Sequence, residues 1–375
     1  MDNRKTILII TSWYPNEHSA YSGIFIQEQA KALSRDFNVI VVAVKVDYSR
    51  FSPFFKYEIK KQENGLLKEC RLTVLKSFPV YNQFNFFTTI QHFLAKEFKD
   101  TKIDLIHCHV SYPAGVAGYF YSRMKKIPYV ITEHYGGFTG LFRTWFHKKL
   151  ALLALRSADL VTTVSRASKE IMSRYINNEI LVMPNMIDVS KFSIKKTKNN
   201  VINAGFLGGL NTNVKGLDIL LKAAAKLKND KIIYHIAGGG ELLELYKQMA
   251  VDLKIADKCI FYGPLKPEQT PAFYNRLDFF ILPSRRESFG VVLLEALASG
   301  VPLIASRCGG PEEIVTSDVG ILIEKENVNE LKQAITDISK RQFNCEKLRI
   351  YAESKFGEQI FLTAVSAVYH KVIVK

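Results

Sequence analysis

The chain has 375 residues, 47% of them hydrophobic, and a formal charge of +15 from 51 Lys and Arg against 36 Asp and Glu. This length is too great for one ordinary domain and suits two. The composition excludes a disordered chain, and no apolar run reaches the roughly 20 residues of a membrane-spanning helix. The charge implies an anionic partner, leaving nucleic acid, acidic membrane and phosphorylated ligands to be separated by motif.

In chain order, residues 6 to 11 read as a first strand rather than a secretory signal, so the expected compartment is the cytoplasm. The five cysteines (70, 108, 259, 308 and 345) are scattered without a CxxC pair, as expected of reduced thiols. A loop from Ser12 to Gly23, a helix from Ile24 to about Ser34 and a strand from Val39 to Val44 open a doubly wound α/β domain. The loop is not GxGxxG. Gly23 serves either a helix start or the approach of a phosphate or sugar to the backbone.

Residues 50 to 100 show no clear pattern, and the aromatics from Phe78 to Phe87 are read as core rather than as a greasy surface. Asp104 to His109 is a strand whose alternation puts His107 and His109 on one face and Cys108 on the other. No third ligand stands at metal spacing. His109 and His134 each close a strand at its carboxyl end, where binding crevices form, although a solvent-facing, idle His134 is also open. Phe138, Leu141, Phe142, Trp145 and Phe146 recur at helical spacing among Arg143, Lys148 and Lys149. Two readings stand there: a core-facing helix with solvated lysines, or a face lying on an anionic membrane.

The segment from Ser190 to Asn200 is the best linker, and after it the α/β alternation restarts. Lys215 stands just before a helix from Leu217, adding a cation to that helix end. The spacing is not that of a P-loop. Leu277 to Pro283 reads as a buried strand. Arg285 to Pro302 reads as a loop opening into a helix that Gly300 and Pro302 stop. Free N–H groups of residues 288 to 291 would bind an anion, with Glu287 and Glu295 beside them as acceptors for hydroxyls. That combination suits a sugar attached to a phosphate.

At Glu287, seven residues, Glu295, then Ala296-Leu297-Ala298-Ser299-Gly300-Val301-Pro302-Leu303-Ile304-Ala305 and Gly309-Gly310-Pro311-Glu312-Glu313, the chain resembles a retaining GT-B glycosyltransferase of family 4. Weaker matches are Gly23, Thr132-Glu133-His134, Pro184-Asn185, Lys215-Gly216-Leu217-Asp218 and Gly238-Gly239-Gly240. The resemblance implies an α/β fold of two Rossmann-like doubly wound domains facing across a cleft. Residues 1–190 would be the acceptor side, 200–355 would bind the nucleotide-sugar, and 356–375 would be a helix crossing back.

It also implies roles. Glu287, Ser288, Phe289, Gly290 and Val291 would hold the donor sugar and phosphate, Glu295 the ribose, and Gly208, Gly209 and Lys215 the diphosphate. Gly23 would approach the donor and His134 would face its sugar, while His109 and Tyr135 would lie on the acceptor side. The catalytic group would be His134, Glu287 and Lys215. One departure matters: the family commonly has Arg where Gly209 stands, so Arg285, Arg286 or Arg307 would substitute, or Lys215 and the loop N–H groups would suffice, or donor affinity would be weak.

The expected reaction moves a hexose-type sugar from a nucleoside diphosphate to an acceptor hydroxyl with retention, without metal or other cofactor. The acceptor would be a glycan or lipid-linked, as in surface polysaccharide or glycolipid synthesis. The protein would be cytoplasmic, with peripheral contact on the inner face of the membrane, and would bind no nucleic acid, for which no motif is present. A nucleotide-sugar epimerase, or another two-domain nucleotide-sugar enzyme, is the alternative.

Overall fold

The computed structural model describes residues 4–374 apart from 18, 20, 53–55, 78–81, 135–137, 143, 195–200 and 228–230. The chain divides into two compact units. One comprises Met1–Val164, Ser168–Met183 and Leu362–Lys375, and the other Ser165–Ala167 and Pro184–Phe361.

The strands of the first unit are β1 (Thr6–Thr11), β2 (Asn38–Phe51), β3 (Tyr57–Asn64), β4 (Leu67–Lys76), β5 (Leu105–His109), β6 (Tyr129–Glu133), β7 (Leu160–Thr163) and β8 (Ile180–Val182). They pair in the order β3-β4-β2-β1-β5-β6-β7-β8. Every pairing is parallel except β3 with β4. Ile7 to Ile10 are wholly buried, as a central parallel strand covered on both faces requires. The helices of this part are α1 (Ile24–Leu33), α2 (Asn82–Glu97), α3 (Val116–Lys125), α4 (Trp145–Ser157) and, from Ser168 on, α5 (Arg166–Met172).

The second unit has β9 (Ile202–Leu207), β10 (Ile232–Ala237), β11 (Cys259–Gly263), β12 (Phe279–Leu282), β13 (Leu303–Arg307) and β14 (Gly320–Glu324). They form an all-parallel sheet in the order β11-β10-β9-β12-β13-β14. This is the doubly wound dinucleotide-fold order. Its helices are α6 (Leu217–Ala225), α7 (Leu243–Asp252), α8 (Thr270–Tyr274), α9 (Val291–Ala298), α10 (Val328–Ile338) and α11 (Cys345–Phe356). The last helix, α12 (Glu358–Ile373), starts in this unit, and from Leu362 its residues are part of the first. Among the described residues no helix is long and apolar enough to cross a membrane.

Both sheets reverse strand order at one place, between β1 and β5 and between β9 and β12. At such a switch point the loops leave in opposite directions and open a crevice at the strands' carboxyl ends. The carboxyl ends of β1, β5, β9 and β12, with the loops that follow them, carry Gly23, His109, Gly208 to Lys215 and Glu287 to Gly290. The parallel order therefore places most of the expected site residues. The stretch without clear pattern holds a hairpin, β3-β4, turning at Asn64-Gly65 with Gly65 at φ 59, followed by α2. Asn-Gly between strands was the legible signal for it. Of the aromatics expected in the core, Phe86 is buried, but Phe84 is exposed; residues 78–81 lie outside the described ones.

Candidate active site

In the second unit the site starts where β9 ends at Gly208. A single turn follows, capped by Thr212, and Gly216 at φ 72 then starts α6. A Cβ on Gly216 would overlap Pro283 O, so the turn and the end of β12 touch through bare backbone. Arg285 N–H donates 2.8 Å to Val214 O across the same seam. Lys215 is thereby presented toward the loop after β12, where its ammonium pairs with Glu287 Oε2. The two groups expected to serve phosphate and sugar separately are thus bonded to each other. A ligand must share or displace that bond.

Glu287 is fixed by its backbone. Gly310 N–H donates 2.8 Å to its carbonyl, and a Cβ on Gly310 would overlap the backbone at Phe289. Gly290 at φ 99 then turns the chain into α9. Leu293 N–H donates 2.9 Å to Gly290 O, while helix geometry leaves the N–H groups of Gly290 to Val292 at the open helix start. Ser288 and Val291 are half-buried, but Phe289 is buried and packs edge-on against Phe356, 5.7 Å between centroids. Its side chain is an anchor, and only its backbone faces the helix start.

Glu295 stands one turn further, with the Tyr274 hydroxyl 2.9 Å from its Oε2. Burial pushes the Glu295 carboxyl up to about 7, opposed by that hydroxyl. Near neutral pH it is partly protonated and can both donate to and accept from a sugar hydroxyl.

The expected substitutes for the missing cation differ in availability. Arg285 forms a bidentate pair with Asp218 at 2.8 and 2.9 Å and binds Asn213 O and Glu326. It clamps the turn onto α6. Arg307 pairs with Glu324 at 3.3 Å. Arg286 is exposed. A Cβ on Gly209 would meet nothing within 4 Å among the described residues, so the place of the family arginine is open space.

In the first unit three buried imidazoles stand together. His107 and His109 share a face, with ring centroids 4.4 Å apart. His107 Nδ1 lies 2.7 Å from the Tyr369 hydroxyl on α12, and Nε2 lies 2.6 Å from Thr132 Oγ1. His109 Nδ1 lies 2.8 Å from His134 Nε2. Phe25 of α1 packs against the His134 ring at 4.8 Å. His109 Nε2 and His134 Nδ1 have no protein partner among the described residues. Burial pushes His107 and His134 down to about 3 and His109 well below the usual range, so all three are neutral at neutral pH.

His109 is only 1% exposed. Its bond to His134 is one in which one imidazole donates and the other accepts. His134 is itself buried, not idle in solvent. Its backbone is held by Glu133, whose Oε1 accepts from His134 N–H at 3.0 Å. The other carboxylate oxygen takes the N–H and hydroxyl of Ser111 at 2.9 and 2.7 Å. Val110, between the two anchored positions, is a β-branched residue at φ 73, a strained conformation that such bonding must hold. Tyr135 lies outside the described residues.

Gly23, at φ 63, caps α1, and a Cβ there would overlap Trp13 O. The close approach it permits here is to its own chain. The loop is further tied by buried Glu69 on β4, which binds the Tyr14 hydroxyl, Gln27 Nε2 at 3.1 Å and Arg71 at 3.2 Å. Nothing local in the sequence marks Glu69, Tyr274 or Tyr369, because each acts through partners 55, 21 or 262 positions away.

Comparison with known proteins gives the family and the fold. The family profile described as Glycosyltransferase Family 4 matches residues 22–191, and that described as Glycosyl transferases group 1 matches residues 188–355. An uncharacterized glycosyltransferase of Methanocaldococcus jannaschii is 29% identical over 66% of this chain and 67% of its own. The alpha-monoglucosyldiacylglycerol synthase of Streptococcus pneumoniae is 30% identical over 55% of this chain and 52% of its own. The solved structure of Anabaena HepE in complex with UDP and glucose superposes with a TM-score of 0.75 at 17% identity, covering 99% of this chain and 100% of that one. At that identity the likeness is one of fold.

Proposed function

Since this chain belongs to the family 4 glycosyltransferases of the GT-B fold, we propose that it transfers a hexose-type sugar from a nucleoside diphosphate to an acceptor hydroxyl, retaining the anomeric configuration. The observation that carries this reading is the Lys215–Glu287 pair beside the open start of α9, at the switch point of the second sheet. A diphosphate leaving group needs positive potential where its charge develops, and preorganised donors there are usually the largest catalytic contribution. Lys215 and the N–H groups of Gly290 to Val292 supply it without a metal ion. HepE, with UDP and glucose bound, provides a precedent for such a ligand in this fold.

In the proposed step the bond from the anomeric carbon to the phosphate oxygen breaks with its electrons going to that oxygen. The acceptor hydroxyl adds to the same face, and its proton passes to the departing phosphate. Glu287 already accepts from Lys215, which suits it to hold the donor sugar and the cation together rather than to attack carbon. Glu295 takes the ribose hydroxyls. His134, neutral and oriented by His109, offers a hydrogen bond to the sugar rather than a charge.

The acceptor is a glycan or lipid-linked hydroxyl; the relative from S. pneumoniae carries a diacylglycerol in its name. A panel of nucleotide-sugars tested by thermal shift, followed by NMR of the product's anomeric centre, tests the reading. A raised melting temperature with one donor, retained configuration and activity unchanged by chelator are expected. Inverted product, or isomerised donor without transfer, would overturn it.

A further inference from the structure

The first unit carries an exposed aromatic surface that the transfer chemistry leaves unused. Trp145 and Phe146, in the first turn of α4, are 69% and 50% exposed, and Phe84 of α2 and Phe120 of α3 are 62% and 42% exposed. A chain of ring contacts links the helices that carry them. Phe87, one turn after Phe84, lies 6.4 Å from Phe120 and 6.1 Å from Tyr112, and Tyr112 lies 4.8 Å from His147, next to Phe146. Large apolar side chains held together in water mark a docking surface.

Its charge identifies the partner. Lys149 Nζ lies 3.8 Å from the Trp145 ring centre, and Lys148 lies over Phe142 and Tyr175 at 5.6 and 5.7 Å. Neither α3 nor α4 contains an Asp or Glu. The one acidic residue of α2, Glu97, is paired with Lys61. On one side of α4, Trp145, Lys149, Leu153 and Arg156 alternate ring, cation, aliphatic chain and cation, all exposed. A second copy meeting this surface about a two-fold axis would set cations against cations. An anionic bilayer meets both halves of the pattern: interfacial Trp and Phe enter the headgroup layer while Lys and Arg stay among the phosphates.

We propose that this face, from Phe84 and Phe120 to Trp145 and Phe146, docks the protein on an anionic lipid surface. α2 and α4 both begin at the carboxyl edge of the sheet, the edge that carries His134. The docked edge therefore receives an acceptor presented from the lipid, a consequence that rests on the glycosyltransferase reading, whereas the docking does not.

The test uses vesicles of phosphatidylcholine alone, or with about one part in four phosphatidylglycerol. Trp13 and Trp145 are the two tryptophans of the chain, so Trp13→Phe leaves Trp145 as reporter. Flotation with anionic but not neutral vesicles is expected, with a shift of Trp145 emission to shorter wavelength. Replacing Trp145 and Phe146 by Ser, or Lys148 and Lys149 by Glu, should weaken partitioning by about tenfold or more without lowering the melting temperature. No flotation with either vesicle, or flotation indifferent to both double variants, would overturn the proposal. So would oligomerisation without lipid that the Trp145 and Phe146 substitutions abolish. Donor hydrolysis measured without vesicles reports on the catalytic reading separately.

Discussion

Lys215 and Glu287 lie 72 positions apart and meet because β9 and β12 are neighbours in the second sheet. If Lys215 balances the leaving diphosphate, Lys215→Ala should lower kcat by about a hundredfold or more, the order seen when one preorganised donor is removed. Near-normal turnover with a nucleotide-sugar would remove that role. Gly209→Arg should tighten nucleoside diphosphate binding by about tenfold, since a guanidinium adds charge-assisted bonds and the position has room; calorimetry with UDP and GDP reads it. His109→Ala should lower kcat by about tenfold with little change in KM, because the ring that holds His134 is lost. His109→Asn, which keeps a polar atom near Nδ1, should recover part of the rate. Glu287, Glu295, Lys215 and His134 were all legible as candidates in sequence. The Lys215–Glu287 bond and the His109–His134 bond were not, since residue type and spacing say nothing about which side chains from different strands meet.

At the scale of elements, the site depends on two glycine-started helices and the clamp between their loops. Gly216 and Gly290 adopt positive φ so that α6 and α9 begin next to Lys215 and Glu287. Arg285 holds the turn before α6 through Asp218 and Asn213 O. Arg285→Ala should cost about 1 to 2 kcal/mol in stability, a charge-assisted bidentate pair discounted for its partial exposure. Donor affinity should fall with it, as Lys215 loses its fixed presentation; urea unfolding and nucleotide titration together check this. The strand–loop–helix alternation was readable because buried parallel strands are short apolar runs and glycines punctuate them. The β3-β4 hairpin and β14 escaped because their patterning is weaker: β3 is mostly exposed, and β14 is only partly buried.

For the whole molecule, pH should act mainly through the three clustered histidines of the first unit, with His235, also buried and lowered by burial, acting in the same direction. The unfolded chain takes up their protons below about pH 6.5, whereas folded His107 and His134 resist until about 3 and His109 resists likewise. The unfolded state thus binds more protons in that window, and stability is lost as pH falls through it, by up to about 1.4 kcal/mol per pH unit for each imidazole. Glu295 has the opposite sign. Its carboxyl is raised to about 7 when folded, so it costs stability as pH rises from about 4.5 to 7. Melting temperatures should therefore drop on acidification from pH 6.5 to 5, less steeply in His109→Asn. Glu295→Gln should gain relative stability above pH 7.

By itself the sequence determined the α/β class, the two-domain plan, the family, and the loops in which a ligand site could form. These follow from local facts: apolar runs of strand length, glycines where the backbone must turn, and one motif block in register. Tertiary structure decided what each site residue touches. It bonded the cation to the carboxylate, left Gly209 open, and committed Arg285 to Asp218. It also placed His109 against His134 and His107 against Tyr369, and left aromatics of three helices exposed. The reason is physical: parallel pairing at a switch point brings together loops from distant strands, and only packing sets which of their side chains meet.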